Sequence, residues 1–128
     1  MELLEFFGAL VKQKKTGRGY QIHVNTADIN NNSMGVEVSD LCFTDCTLLK
    51  SANLLTFDNS NEEPMSYRED GTPLYSIHSS EVLYLDITQI EQITEMQDIL
   101  DWFTFPVSRA IDIKLKSKSS ITIGFMAD

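Results

Sequence analysis

Between Leu74 and Ile93 the chain reads Leu-Tyr-Ser-Ile-His-Ser-Ser-Glu-Val-Leu-Tyr-Leu-Asp-Ile-Thr-Gln-Ile-Glu-Gln-Ile. Leu83, Leu85 and Ile87 alternate with Tyr84 and Asp86, the two-residue period of a strand. Val82, next to Leu83, predicts cover on both faces near the strand's start. The period then changes. Ile87, Ile90 and Ile93 recur at every third residue, and a strand cannot hold one face across an odd step. The chain must bend at Thr88 and Gln89. Strand, tight bend and short strand is how a small barrel turns a corner.

N-terminal to this corner, Leu3, Leu4, Phe7, Leu10 and Val11 recur at helical spacing. Glu2 and Glu5 open the segment, Lys12, Lys14 and Lys15 close it, and Gly17 and Gly19 follow. This charge order suits the helix dipole and the glycines suit a C-terminal stop. A helix is predicted from Glu2 to Lys15, with one apolar face on a sheet. Tyr20, Ile22 and Val24 read as a half-buried strand. The polar run Asn25 to Gly35 reads as a loop. Val36, Val38, Leu41 and Phe43 are strand residues with a phase break at Ser39-Asp40. Leu48-Leu49 and Leu54 to Phe57 are further strands, or a short helix. Asp58 to Thr72, acidic and holding Pro64 and Gly71, is predicted to be a long, mobile loop.

C-terminal to the corner, Thr94 and Gln97 have the spacing of a T-x-x-Q capping box. Met96, Ile99, Leu100 and Phe103 follow at i, i+3, i+4 and i+7, and Pro106 ends the run. A buried amphipathic helix is predicted from Thr94 to Phe103. Ile111, Ile113 and Leu115, then Ile121, Ile123 and Phe125, read as a hairpin. Residues opposed on antiparallel strands share a face. Leu115 opposite Ile121 needs an odd loop, here Ser117 to Ser119.

The chain has 128 residues, 42% of them hydrophobic and 23% charged, and a net charge of −9. That is ordinary globular usage, enough for one domain with a real core. No apolar run approaches the ~18 residues of a membrane span. The start, Met-Glu-Leu-Leu-Glu-Phe-Phe, lacks the positive region of a signal peptide, so a cytoplasmic protein is expected. The acidic balance works against nucleic-acid binding, which draws on lysine and arginine.

Candidate chemistry is thin. Cys42 and Cys46 have no second cysteine pair to complete a zinc site. A cysteine nucleophile would need His23 or His78 brought to it by the fold, and Asp40 and Asp45 would raise the thiol pKa. Asp58, Ser60, Glu62 and Glu69 fall at the first, third, fifth and twelfth positions of a calcium loop, but Glu63 stands where the turn needs glycine. No metal or cofactor is expected, and no enzymatic activity. Lysines and arginines gather in two groups, Lys12 to Arg18 and Arg109 to Lys118. The second group, on a hairpin face, offers Arg109, Lys114, Lys116 and Lys118 as contacts to RNA phosphates.

The order of helix, bent antiparallel strands, acidic loop and corner resembles the Sm-like family over Glu2 to Ile93. Phe43-Thr44-Asp45-Cys46-Thr47-Leu48-Leu49 is similar to its first motif, with Asp45 and Leu48 matching and Leu49 replacing the RNA-contacting asparagine. His78-Ser79-Ser80 stands where the second motif has a basic residue and glycine. The resemblance implies a mostly β, strongly bent antiparallel barrel with an N-terminal helix. The predicted C-terminal helix and hairpin, residues 94–128, would be appended to it. It also implies ring assembly. The function expected is a non-enzymatic, self-associating binding or scaffold module, and the alternative is an RNA-binding Sm-like protein. Homo-oligomer pairing is expected at strand edges through Val82, Tyr84, Ile90 and Ile93, because unpaired edges without lysine or proline invite a second chain.

Overall fold

A computed structural model describes residues 1–26, 36–59, 66–74, 82–98 and 100–127. Among the described residues one α-helix, α1 (Leu3–Thr16), precedes ten strands. They are β1 (Tyr20–Thr26), β2 (Val36–Phe43), β3 (Asp45–Leu49), β4 (Leu54–Asp58), β5 (Ser66–Tyr67), β6 (Pro73–Leu74), β7 (Leu83–Asp86), β8 (Ile90–Met96), β9 (Val107–Leu115) and β10 (Ser120–Met126). All pairings are antiparallel. A five-stranded sheet runs β2-β1-β10-β9-β8, a three-stranded sheet runs β3-β4-β7, and β5 and β6 form a small hairpin. The protein is therefore mostly β with one N-terminal α-helix. Among the described residues, no helix is long and apolar enough to cross a membrane.

Two corners join the main sheets. The first is Thr44, between β2 and β3, whose N–H reaches the carbonyl of Asp58 at 3.0 Å and the Asn59 side-chain oxygen at 3.0 Å. The second is the single 3₁₀ turn Ile87–Gln89 between β7 and β8. It falls where the hydrophobic period changes, as the sequence predicts. The sheets share one core without closing into a continuous barrel. Tyr20 and Phe125 face it from the five-stranded sheet and Phe57 from the three-stranded one. The Tyr20 ring meets Phe57 and Phe125 edge-on at 5.5 and 5.7 Å, a favourable aromatic geometry. Gly19, with φ of +75°, lets β1 start beside the first corner: a Cβ there would stand 2.5 Å from the Phe43 carbonyl oxygen.

The helix forms as predicted, but its buried face is rotated. Phe6, Ala9, Leu10 and Gln13 are inside, while Leu3, Leu4 and Val11 are exposed. Gln13 fixes this rotation. Its amide donates to the carbonyls of Gly19 at 2.8 Å and Met126 at 3.0 Å, tying the last turn to β1 and β10.

The predicted helix Thr94 to Phe103 is not present. Thr94 to Met96 complete β8, which pairs with β9 along Ile93↔Ile113, Thr94↔Asp112, Glu95↔Ile111 and Met96↔Ala110. Only Leu100–Trp102 form a 3₁₀ turn. The capping-box spacing was satisfied, but a full ladder against β9 outweighs the local helical signal, as tertiary context does for β-branched Ile93 and Thr94. Ile99 lies outside the described residues.

The C-terminal hairpin supplies two strands of the five-stranded sheet, with β10 between β1 and β9. Its register is two residues from expectation, with Ile121 opposite Ile113 rather than Leu115. The loop has odd length as predicted but is Lys116 to Lys118. It closes through Leu115 N–H to the Ser119 carbonyl and Lys118 N–H to the Leu115 carbonyl, both at 2.9 Å. Lys118 takes the positive φ, 73°, that such a turn requires. A two-residue slip preserves the faces, so alternation alone does not decide between the registers. In the acidic loop Asp58 to Thr72, β5 and β6 make a hairpin around Arg68 to Thr72. Residues 60–65 lie outside the described residues, and with them Ser60, Glu62 and Glu63 of the calcium-like spacing.

Candidate functional site

The outer face of the five-stranded sheet carries a pocket of about 320 Å³ lined by Ile22, His23, Glu37, Ser39, Trp102 and Phe103. Three separate segments build it. β1 presents Gln21 and His23 outward because Tyr20, Ile22 and Val24 alternate inward. β2 pairs Leu41 with Ile22 and Val38 with Val24, so Ser39 and Asp40 together oppose His23. This bulge bends β2 and brings Ser39 and Glu37 to the pocket wall. The third segment, residues 100–105, crosses the outer face as a strap.

The strap is anchored at three consecutive residues. The Phe103 ring lies on Gly124, with ring carbons 2.7–2.9 Å from where a Cβ would stand, so only glycine fits beneath it. The wholly buried Gln21 accepts from Thr104 N–H at 2.9 Å and donates to the Phe105 carbonyl at 3.4 Å. Below the strap, Pro106 accepts from Ala127 N–H at 2.9 Å. Trp102, one residue before these anchors, remains 67% exposed. Its ring is 6.4 Å from that of His23. His23 Nε2 lies 2.9 Å from Glu37 Oε1, and the Glu37 side chain is largely solvent-facing. The pocket thus combines an indole face, an exposed carboxylate and an imidazole beside it.

The thiols offer little chemistry. Burial, then the nearby Asp45, pushes the Cys46 thiol up to about 12, which removes the thiolate a nucleophile needs. Burial likewise raises the Tyr20 hydroxyl, which donates to the Leu10 carbonyl at 3.0 Å. Asp45 caps Cys46 N–H at 2.9 Å and meets Lys14 at 3.2 Å, so this aspartate organises the first corner. Cys42 is half-buried on β2 opposite Gln21. His78 lies outside the described residues. Among the described residues no group of histidine, cysteine, aspartate and glutamate is arranged to hold a metal.

The four cations proposed for RNA separate into two kinds. Arg109 forms a two-armed ion pair with Glu95 across β8 and β9. Lys118 lies 3.5 Å from Glu91. Lys114 and Lys116 are exposed, and Lys116 N–H joins the hairpin to the second corner through the Gln89 carbonyl at 2.9 Å. The four edge residues separate as well. Val82 and Tyr84 are 46% and 62% exposed. Ile90 is half-buried against the core opposite Leu115, and Ile93 is buried opposite Ile113. β9 covers one side of β8. On β8, the Ile93 carbonyl accepts from the Met1 amino group at 3.2 Å.

No protein-family model, curated protein or solved structure matches this chain. The pocket was not legible beforehand. Its residues come from three segments far apart in sequence, and the segment bearing Trp102 reads as helix. The single tryptophan, four residues before Pro106, was the available signal.

Proposed function

We propose that this protein is a non-enzymatic binding module of the cytoplasm that associates with itself through the outer edge of β7. The observation that carries this reading is the edge itself. β7 ends the three-stranded sheet, and Val82 and Tyr84 along it present apolar surface without lysine or proline. An edge of this kind pairs readily with a second strand, which satisfies its backbone groups and buries its side chains. Two copies meeting by the same edge give a two-fold dimer, and a head-to-tail contact gives a ring. The Sm-like resemblance belongs to this reading. α1 ahead of bent strands and a one-turn corner before β8 support it, and β9 and β10 between β8 and β1 depart from the five-stranded plan.

Light scattering at micromolar concentration tests it. The expected mass is a multiple of 14.5 kDa. Val82→Lys with Tyr84→Lys is expected to return the monomer mass with an unchanged far-ultraviolet spectrum, since both side chains are exposed. A monomeric native protein overturns the reading. Ile90→Lys is a poorer probe, because Ile90 packs on the core. The RNA alternative rests mainly on Lys114 and Lys116, since carboxylates hold Arg109 and Lys118. A salt-dependent RNA affinity abolished in Lys114→Ala with Lys116→Ala would favour it.

A further inference from the structure

We infer that the outer-face pocket is a receptor for an arginine side chain of a basic partner protein, with the guanidinium stacked on Trp102 and paired with Glu37. This site is independent of the β7 edge and lies on the other sheet.

The first ground is the position of Trp102. Large aromatic side chains are normally drawn inward, and a solvent-facing tryptophan on a mobile loop would collapse against the nearest apolar surface. Here the three residues after it are pinned, by Gly124 under Phe103 and by Gln21 under Thr104 and Phe105. The indole is therefore held out and preformed for stacking. Preorganisation of this kind lowers the entropy lost on binding.

The second ground is charge. Glu37 stands across the pocket, and Asp101 adjoins Trp102 on the strap and is exposed. The protein carries 19 acidic against 10 basic residues, so its field attracts cations and repels phosphate. An indole face attracts a cation through its quadrupole, and arginine is the cation found there most often. A planar guanidinium can stack and donate in its own plane to a carboxylate at once, which a lysine ammonium cannot do. His23 Nε2 lies 2.9 Å from one Glu37 oxygen and so occupies only one side of the carboxylate. A carboxylate has about four acceptor sites, so capacity for a guanidinium remains.

Trp102 is the sole tryptophan, so its emission reports this pocket directly. The probe is a blocked Gly-Ser-Arg-Ser-Gly peptide, with the citrulline peptide as the neutral isostere, the lysine peptide as the point-charge control and methyl glucoside as a neutral stacking ligand. Saturable quenching is expected with the arginine peptide, at least tenfold weaker binding with lysine, and no saturation with citrulline or the glucoside. Glu37→Gln is expected to weaken arginine binding at least tenfold while leaving the far-ultraviolet spectrum unchanged. In Trp102→Leu, calorimetry is expected to show no heat of binding. Equal responses to arginine and citrulline, saturation by the glucoside, an unaffected Glu37→Gln protein, or no saturation at 50-fold peptide excess over about 1 mM overturns the inference. Because the readout is local to Trp102, it stands or fails whatever the oligomeric mass.

Discussion

On the five-stranded sheet the outer face is roofed: Phe103 rests on Gly124, Gln21 holds the strap, and Ala110 and Thr122 are buried. On the three-stranded sheet the corresponding face presents Leu49, Thr47 and Tyr84 to water. Both sheets are antiparallel ladders over the same core, so the difference lies in their outward-facing residues. Small or amide-bearing residues let a strap sit close and satisfy its backbone, and the strap's margin leaves a concave pocket. Among the described residues no strap crosses this face, although Thr56 between Thr47 and Tyr84 is buried, and its edge strand, β7, is an accessible feature. In the two proposals made above, the sheets offer different kinds of recognition, a pocket for a side chain and an edge for a strand.

The most severe way to break this comparison is to ask whether the sheets are one cooperative unit. Phe57 and Ile113 are wholly buried on facing sheets. Phe57→Ala is expected to cost about 3–5 kcal/mol and Ile113→Ala about 2–5 kcal/mol. Each is expected to shift a single urea transition followed by far-ultraviolet dichroism. A separate early transition in Phe57→Ala would show that the three-stranded sheet melts alone.

A smaller effect separates the outer faces. Gly124→Ala must displace the Phe103 ring and is expected to cost about 1–3 kcal/mol, as overpacking does. Thr47→Ala, on the unroofed face, is expected to stay within about 0.5 kcal/mol. Combining Gly124→Ala with Phe103→Ala is expected to be non-additive, because the first change acts through the second residue. Strict additivity in urea denaturation would mean the ring is not held by Gly124.

The sequence foretold the bent, antiparallel, mostly β plan wherever alternation was clean. The 3₁₀ corner at Ile87–Gln89 was legible because an odd step between isoleucines allows no straight strand. Residues 94–103 were not, because Thr94, Gln97, Met96 and Phe103 satisfy helical spacing while the deciding partner, β9, lies elsewhere in the chain. The helix was legible but its face was not. Leu4 and Val11 look buried by hydropathy, yet Gln13 goes inside because two carbonyls await its amide. The edge residues followed the same logic: Val82 and Tyr84 are exposed, whereas Ile93 belongs to the core once β9 pairs with β8. His23, Glu37 and Trp102 meet through a bulge, signalled in the sequence by the phase break at Ser39-Asp40, and a strap, which has no local sequence signature here.

The smallest expected effect concerns the second of the two corners that join the sheets. Asp86 closes the Ile87–Gln89 turn, accepting from Thr88 Oγ1 at 2.7 Å and Thr88 N–H at 2.9 Å. The Thr88 hydroxyl first, then its N–H, hold the Asp86 carboxyl below its ordinary value. A carboxylate lowered in the folded state stabilises it above the ordinary pKa, and that contribution is lost as pH falls through the lowered value. Asp86 is fully exposed, so solvent screens the effect and only its sign is claimed. Asp86→Asn is expected to be slightly less stable than the native protein at neutral pH, with the gap closing as the solution is acidified past the ordinary carboxylate range. Thermal melts of both proteins across that range measure the gap. A gap that stays constant with pH would mean that the charge on Asp86 plays no part in holding the turn. The corner's stability would then rest on the 3.0 Å bond from Ile87 N–H to the Asn53 carbonyl and on the pairing of β7 and β8 with their neighbours.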